Sequence, residues 1–170
     1  MRGTSNENEI LIGYRKNNNF YVGYTENNTR VALYYPISYD EIKQAMTILF
    51  SYYDKEISNT EEIFIKPFII HGLLAALQIF EDGNTRFART IQHVNLFSLT
   101  QQNLDDSLEL PSIYFSKTYI PYRNEYRHLI SQIAINPSHE NWNNWIAFNL
   151  KRLQDQIFFN EENLKRTRRI

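Results

Sequence analysis

The sequence predicts a mostly α fold with one β-hairpin near the N-terminus, and three observations predict it. From residue 38 onward, apolar side chains recur at intervals of three and four, the period of an amphipathic helix. Before Pro36, three β-rich runs at 10–14, 20–24 and 30–35 are separated by the asparagine-rich turns NNN and ENN, which is how short hairpins are written. Finally, 170 residues at 42% hydrophobic and 15% aromatic suffice for one core and are cramped for two. Two or three strands are not stable alone, so the ribbon must lie on the helices. The expected organisation is one domain over residues 1–170, with 1–9 disordered, 10–36 forming a hairpin flap and 37–165 a helical core.

Each element has its own signal. Ser38, with Glu41 three residues on, forms a capping box. Ile42, Ala45, Met46, Leu49, Tyr52 and Tyr53 then carry a helix to about residue 53. After the polar connection DKEISNTEE, a second helix is expected from about Lys66, with Pro67 in its first turn, where proline is tolerated. It is apolar on nearly every face and so belongs at the centre. A third helix runs from Asn84 to about Leu99, and QQNLDDSLELP reads as a loop. The helical period returns around Pro121, and again after NPSHEN, where Trp142, Trp145, Ile146, Leu150 and Leu153 form an apolar stripe with Phe148 on its flank.

Composition excludes more than it identifies. A formal net charge of −1 gives no global field for nucleic acid or an anionic membrane, and the basic run LKRTRRI reads as a solvated helix end. The absence of cysteine removes disulfides, thiolate zinc sites and cysteine nucleophiles. The polar start MRGTSNENE has no apolar signal core, and no stretch approaches a membrane span, so a cytoplasmic protein is expected.

The chemistry concentrates in LQIFEDGNTRFAR, residues 77–89. Gly83 permits a tight turn between two helices, and a helix starting near Asn84 leaves its first backbone N–H groups unpaired, an anion site reinforced by the helix dipole. Arg86 and Arg89 lie three apart on one side of that helix, where both can fork onto phosphate oxygens. Asp82 would repel phosphate unless a divalent cation lay between them, which it is placed to hold. The set reads equally as a metal-bridged polyphosphate cradle or as a capped helix whose two surface arginines pair with Glu81 and Asp82.

Here the sequence resembles the Fic-domain family (filamentation induced by cAMP), whose signature runs H-x-F-x-D/E-G-N-x-R-x-x-R on a helix–loop–helix. Phe80, Asp82, Gly83, Asn84, Arg86 and Arg89 fall on it in register, and His71, the hairpin ending at Pro36 and the W-x-x-W-I segment at 142–146 also match family features. The resemblance implies a Fic fold and transfer of AMP from ATP to a hydroxyl of a target protein. It further implies Mg²⁺ held by Asp82 and an anion hole formed by Asn84 and the backbone after Gly83. Phosphate neutralisation would fall to Arg86 and Arg89, and docking of the target segment to the flap at Phe20, Tyr21, Val22 and Gly23, with a structural cover over the helix junction equally open for the flap. Asn124 and Tyr126 occupy an N-x-Y pattern that relatives use near the nucleobase, with a core role for Tyr126 equally open. Glu162, in FFNEEN, is the nearest match to the family's inhibitory glutamate, although Phe158 breaks the start of that motif.

The main departure is Gln78, which stands where the family places its catalytic histidine. An amide cannot take a proton near neutral pH, and losing general-base catalysis costs about 10²- to 10⁴-fold. Gln78 could still orient a hydroxyl or a water. Thr85 replaces the usual glycine beside the phosphates. Of the histidines, His93 lies too far along its helix to substitute, His71 reads as a core residue, and His128 and His139 as surface residues. Two functions follow: a slow or atypical adenylyltransferase, or a regulatory protein that binds nucleotide or a partner without transfer.

Overall fold

The helical period after residue 38 is built into six α-helices that follow a two-stranded hairpin, in a computed structural model describing residues 13–104 and 115–167. The expectations of disorder at 1–9, a strand through 10–12 and a loop over 105–111 lie outside the described residues, as do residues 168–170.

Strands β1 (Val22–Glu26) and β2 (Thr29–Tyr34) pair antiparallel around Asn27 and Asn28, whose φ values of 47° and 62° supply the left-handed pair that a two-residue hairpin loop needs. Among the described residues, only the ENN turn makes a hairpin. The NNN segment does other work: Asn17 Nδ2 donates to Glu81 at 2.9 Å, and Asn18 Oδ1 accepts from the Tyr39 N–H at 2.8 Å. The first β run therefore ends, within the described residues, in a bend at Gly13 and Tyr14, and β1 starts two residues later than expected. The pairing register shifts between Val22 and Gly23. Gly23 comes so close to β2 that a Cβ there would stand 2.1 Å from the Val31 carbonyl oxygen.

The box at Ser38 and Glu41 forms, with the Ser38 N–H donating to the Glu41 carboxylate at 3.1 Å. It opens a single 3-10 turn that leads into α1 (Ile42–Tyr53). Helix α2 (Thr60–Leu77) begins six residues earlier than Pro67 suggested, capped by Asn59, whose side chain accepts from the Glu62 N–H at 3.0 Å. Pro67 lies inside this helix. The backbone bond it deletes is outweighed by burial of Ile63, Pro67 and Phe68 around it.

Helix α3 (Asn84–Asn103) extends four residues past Leu99. Pro121 sits in the turn between the short α4 (Phe115–Thr118) and α5 (Arg123–Ile135). In α6 (His139–Thr167) the expected stripe is corrected: Phe148 is buried and Leu150 is 41% exposed. Leu150 stands five residues after the buried Trp145, about 140° round the helix, whereas Phe148 and Asn149 stay on its face. No helix among the described residues is long and apolar enough to cross a membrane.

Helix α2 is the centre, packed against α1, α3, α5 and α6. Gly72 allows the crossing, since a Cβ there would meet Trp145 Nε1 at 2.8 Å and the Trp142 ring at 2.9 Å. Beside it, His71 is fully buried, hydrogen-bonded through Nε2 to the Tyr126 hydroxyl at 2.8 Å, and enclosed by the rings of Tyr119, Tyr126 and Trp145. Burial drives its pKa down to about 3, so it is neutral at ordinary pH and fills a core position.

Candidate functional site

The signature occupies the connection between α2 and α3. Helix α2 stops at Leu77 because Gln78 turns left-handed, with φ 49° and ψ 60°, and the chain then bends through residues 79–82 to Gly83 at φ 82°. Gly83 is the residue before α3, so the N–H groups of Asn84, Thr85 and Arg86 are the helix's first donors, while the Phe87 N–H already reaches the Gly83 carbonyl at 2.9 Å. The positive end of the α3 dipole thus faces the loop.

Asn84 holds the loop's shape. Its Oδ1 accepts from the Phe80 N–H at 2.8 Å and its Nδ2 donates to the Phe80 carbonyl at 2.7 Å, so one buried carboxamide joins both backbone groups of a residue four positions back. The Asn84 carboxamide is therefore committed to the bend, and the donors left at the loop are the backbone amides at the start of α3. Phe80 anchors the same bend through its ring, edge-on to Phe87 at 5.1 Å.

Asp82 accepts from the Gly83 N–H through Oδ1 at 2.6 Å and from Arg86 through Oδ2 at 3.2 Å. The Arg86 guanidinium lies over Gly83, where a Cβ would come within 3.4 Å of its Nη2. Both partners are largely exposed, at 57% and 73%, so the pair contributes little stability. Glu81 does not join it; its carboxylate accepts from the Lys16 N–H and Asn17 Nδ2 instead. Arg89, half-buried one turn on, makes no ion pair among the described residues, and its buried Nε has no acceptor. Thr85 is partly exposed beside them.

Gln78 faces away from this loop. Only 8% exposed, it donates through Nε2 to the Ala75 carbonyl at 2.6 Å, closing the last turn of α2, and lies in hydrogen-bonding reach of the Tyr34 hydroxyl. Burial raises the Tyr34 pKa, so that hydroxyl remains a donor. The flap is thereby tied to the helix end beneath the signature.

A second tie had no signal in the sequence, where Arg15 looks like a surface residue between a tyrosine and a polar turn. It is 2% exposed, and its guanidinium donates to the carbonyls of Gln78 at 2.8 Å, Asn17 at 2.9 Å and Ile37, while its N–H reaches the Ile79 carbonyl at 2.9 Å. One side chain joins the N-terminal segment, the signature loop and the exit of the flap. Arg15→Ala is expected to destabilise the fold by about 2–3 kcal/mol, since it strands the buried Gln78 carbonyl and removes charge-assisted bonds. Urea denaturation measures this, and a change under about 0.5 kcal/mol would show that the clamp carries no load.

The remaining candidates lie apart. The flap residues Phe20, Tyr21, Val22 and Gly23 are half-buried at the start of β1. Asn124 is exposed and lines a cavity of about 620 Å³ with Ile120 and Tyr122, whereas Tyr126 is a core residue bonded to His71. Glu162 is exposed on α6, where its carboxylate accepts from Lys165 at 3.5 Å. Among the described residues no group of three His, Asp or Glu could hold a metal, so Asp82 stands as a single carboxylate. That suits Mg²⁺, which takes one or two carboxylates and fills its shell with water and substrate phosphate.

No curated protein and no solved structure matches the chain. The family model for the Fic/DOC family matches residues 6–96, slightly more than half of the 170 residues, covering the flap, α1, α2, the signature loop and α3 as far as Leu96. With that match lying over a helix–loop–helix that carries the signature in register, the chain belongs to the Fic/DOC family.

Proposed function

We propose that the α2–α3 loop binds the triphosphate of ATP together with Mg²⁺, and that the domain transfers AMP slowly to a hydroxyl of a target protein. The observation that carries this reading is the loop itself: three first-turn backbone donors at α3 and the Arg86 guanidinium over Gly83 lie beside Asp82, and Arg89, one turn further along α3, makes no ion pair among the described residues. Nucleotidyl transfer depends on positioning and on neutralising phosphate charge more than on covalent help, and this set supplies both. Asp82 would hold the Mg²⁺, whose contribution when bound is to neutralise phosphate oxygens. Arg86 and Arg89 would orient and neutralise the leaving pyrophosphate, and the outer edge of β1 would align a target segment by strand addition.

The position of Gln78 favours a second reading. Its carboxamide is turned inward and committed to Ala75, so it offers neither a base nor an orienting group at the loop. A regulatory Fic protein that binds nucleotide without transfer needs nothing else from that residue.

Both readings require nucleotide. Calorimetry with ATP and Mg²⁺ should show binding to this chain, weakened about ten- to a hundredfold in Arg86→Ala, as expected for loss of a charged contact of about 1.5–3 kcal/mol. The same variant should melt within about 0.5 kcal/mol of the parent, because its side chain is exposed. Absence of ATP binding by the parent would remove the common basis of the two readings. Labelling of lysate proteins from α-labelled ATP then separates them.

A further inference from the structure

We propose that the cavity between the α1–α2 connection and the second half of α3 is a binding site for a small organic anion with an aromatic or apolar body, held by the Lys66 ammonium and the Asn95 carboxamide. The cavity has a volume of about 510 Å³, within the range of small-molecule sites. Lys66 is 12 residues from Gln78 along α2, about 18 Å at the helical rise, so this site is separate from the signature loop.

Its walls carry donors without a matching acceptor. Lys66 is only 7% exposed, and burying an ammonium is costly unless it meets a negative partner. Its Nζ donates to the Lys55 carbonyl and lies 5.9 Å from the Tyr53 ring centroid, yet it forms no ion pair among the described residues. One carbonyl satisfies one of its three N–H donors. Asn95 is 4% exposed, lines the same cavity, and its Nδ2 has no acceptor.

The arrangement follows from helical spacing. Lys66 and Ile70 lie four apart on α2, and Asn95, Ser98, Leu99 and Gln102 lie on one face of α3 at steps of three and four. Tyr53, Ile57, Ile70 and Leu99 add apolar and aromatic surface. A ligand with one carboxylate or phosphate group and a ring or chain would supply the missing charge to Lys66 and, on rotation of the buried Asn95 carboxamide toward the cavity, an acceptor for its Nδ2, and would cover that surface. Glu56, also on the wall, disfavours a polyanion.

The test is titration of the ¹⁵N-labelled protein with phenyl phosphate and with benzoate, using benzyl alcohol as the uncharged counterpart and inorganic phosphate as the anion alone. Saturable shifts are expected at the Ser98, Leu99 and Gln102 amides and at the Asn95 side chain with either ring-bearing anion, but not with benzyl alcohol. They should persist in Arg86→Ala, which separates this site from the signature loop. They should weaken at least about tenfold in Lys66→Met and in Asn95→Leu, a loss of about 1.4 kcal/mol or more. If Lys66→Met does not fold, Asn95→Leu decides alone. Shifts confined to residues 79–89, shifts that do not saturate, or undiminished binding by folded Asn95→Leu would overturn the assignment.

Discussion

Replacing Gln78 by histidine is expected to raise AMP transfer by about 10²- to 10⁴-fold, the usual contribution of a positioned general base. The backbone is ready for the exchange: residue 78 sits at φ 49°, ψ 60°, and histidine enters the left-handed region more readily than most residues with a side chain. The variant gives up the bond from Gln78 Nε2 to the Ala75 carbonyl, which costs about 1 kcal/mol of stability. An imidazole is too short and too differently shaped to repeat that bond, so it gains reason to turn toward the loop, where the target hydroxyl would lie. The measurement is labelling of the protein itself and of lysate proteins by α-labelled ATP, with rates compared against this chain. If the variant labels while this chain binds ATP and does not label at all, the regulatory reading gains; if neither labels, the transfer reading fails.

The second large effect is structural. Trp145→Ala should destabilise the protein by about 3–5 kcal/mol, as deletion of a fully buried aromatic residue does. Trp145 is 0% exposed, donates through Nε1 to the Phe68 carbonyl at 2.8 Å, and packs edge-on against His71 at 5.2 Å and Tyr126 at 5.6 Å. It also fills the space opened by Gly72, so its loss leaves a cavity at the crossing of α2 and α6 that neither backbone can close. The loss is a large fraction of the roughly 5–15 kcal/mol by which a domain is stable. Chemical denaturation reads it, and Trp145→Phe, which removes the N–H while keeping an aromatic ring, should fall well short of it. A loss below about 1 kcal/mol for the alanine variant would mean that α6 is only lightly attached to the core.

Much of this architecture was legible because its determinants are local. The Ser38–Glu41 box, the asparagine pair at 27–28, the glycine at 83 and the spacing of Ile42, Met46 and Leu49 each report on residues within one or two turns. Errors arose where tertiary contact overrides a local rule. Pro67 reads as a helix start, but it is buried within the central helix α2, and the cap at Asn59 lies in a polar stretch. Phe148 and Leu150 exchanged places because both suit a broad stripe and only the direction of α6 against α2 chooses between them.

The site shows the same division. The signature loop and its exposed Asp82–Arg86 pair follow from sequence spacing, and that pair realises one half of the capped-helix alternative. Arg15 could not be anticipated, since its partners Gln78 and Ile37 lie 63 and 22 residues away. Nor could the inward turn of Gln78, which depends on a tyrosine in the flap and a carbonyl of the preceding helix.

The clasp between Asn84 and Phe80 has a kinetic meaning as well. A bend fastened by its own carboxamide has its shape without a ligand, so on the proposed nucleotide reading capture would proceed by collision with a finished receptor and would need no folding of the receptor around its guest. Residence time, rather than speed of arrival, would then be the quantity that changes at Arg86 and Arg89 tune.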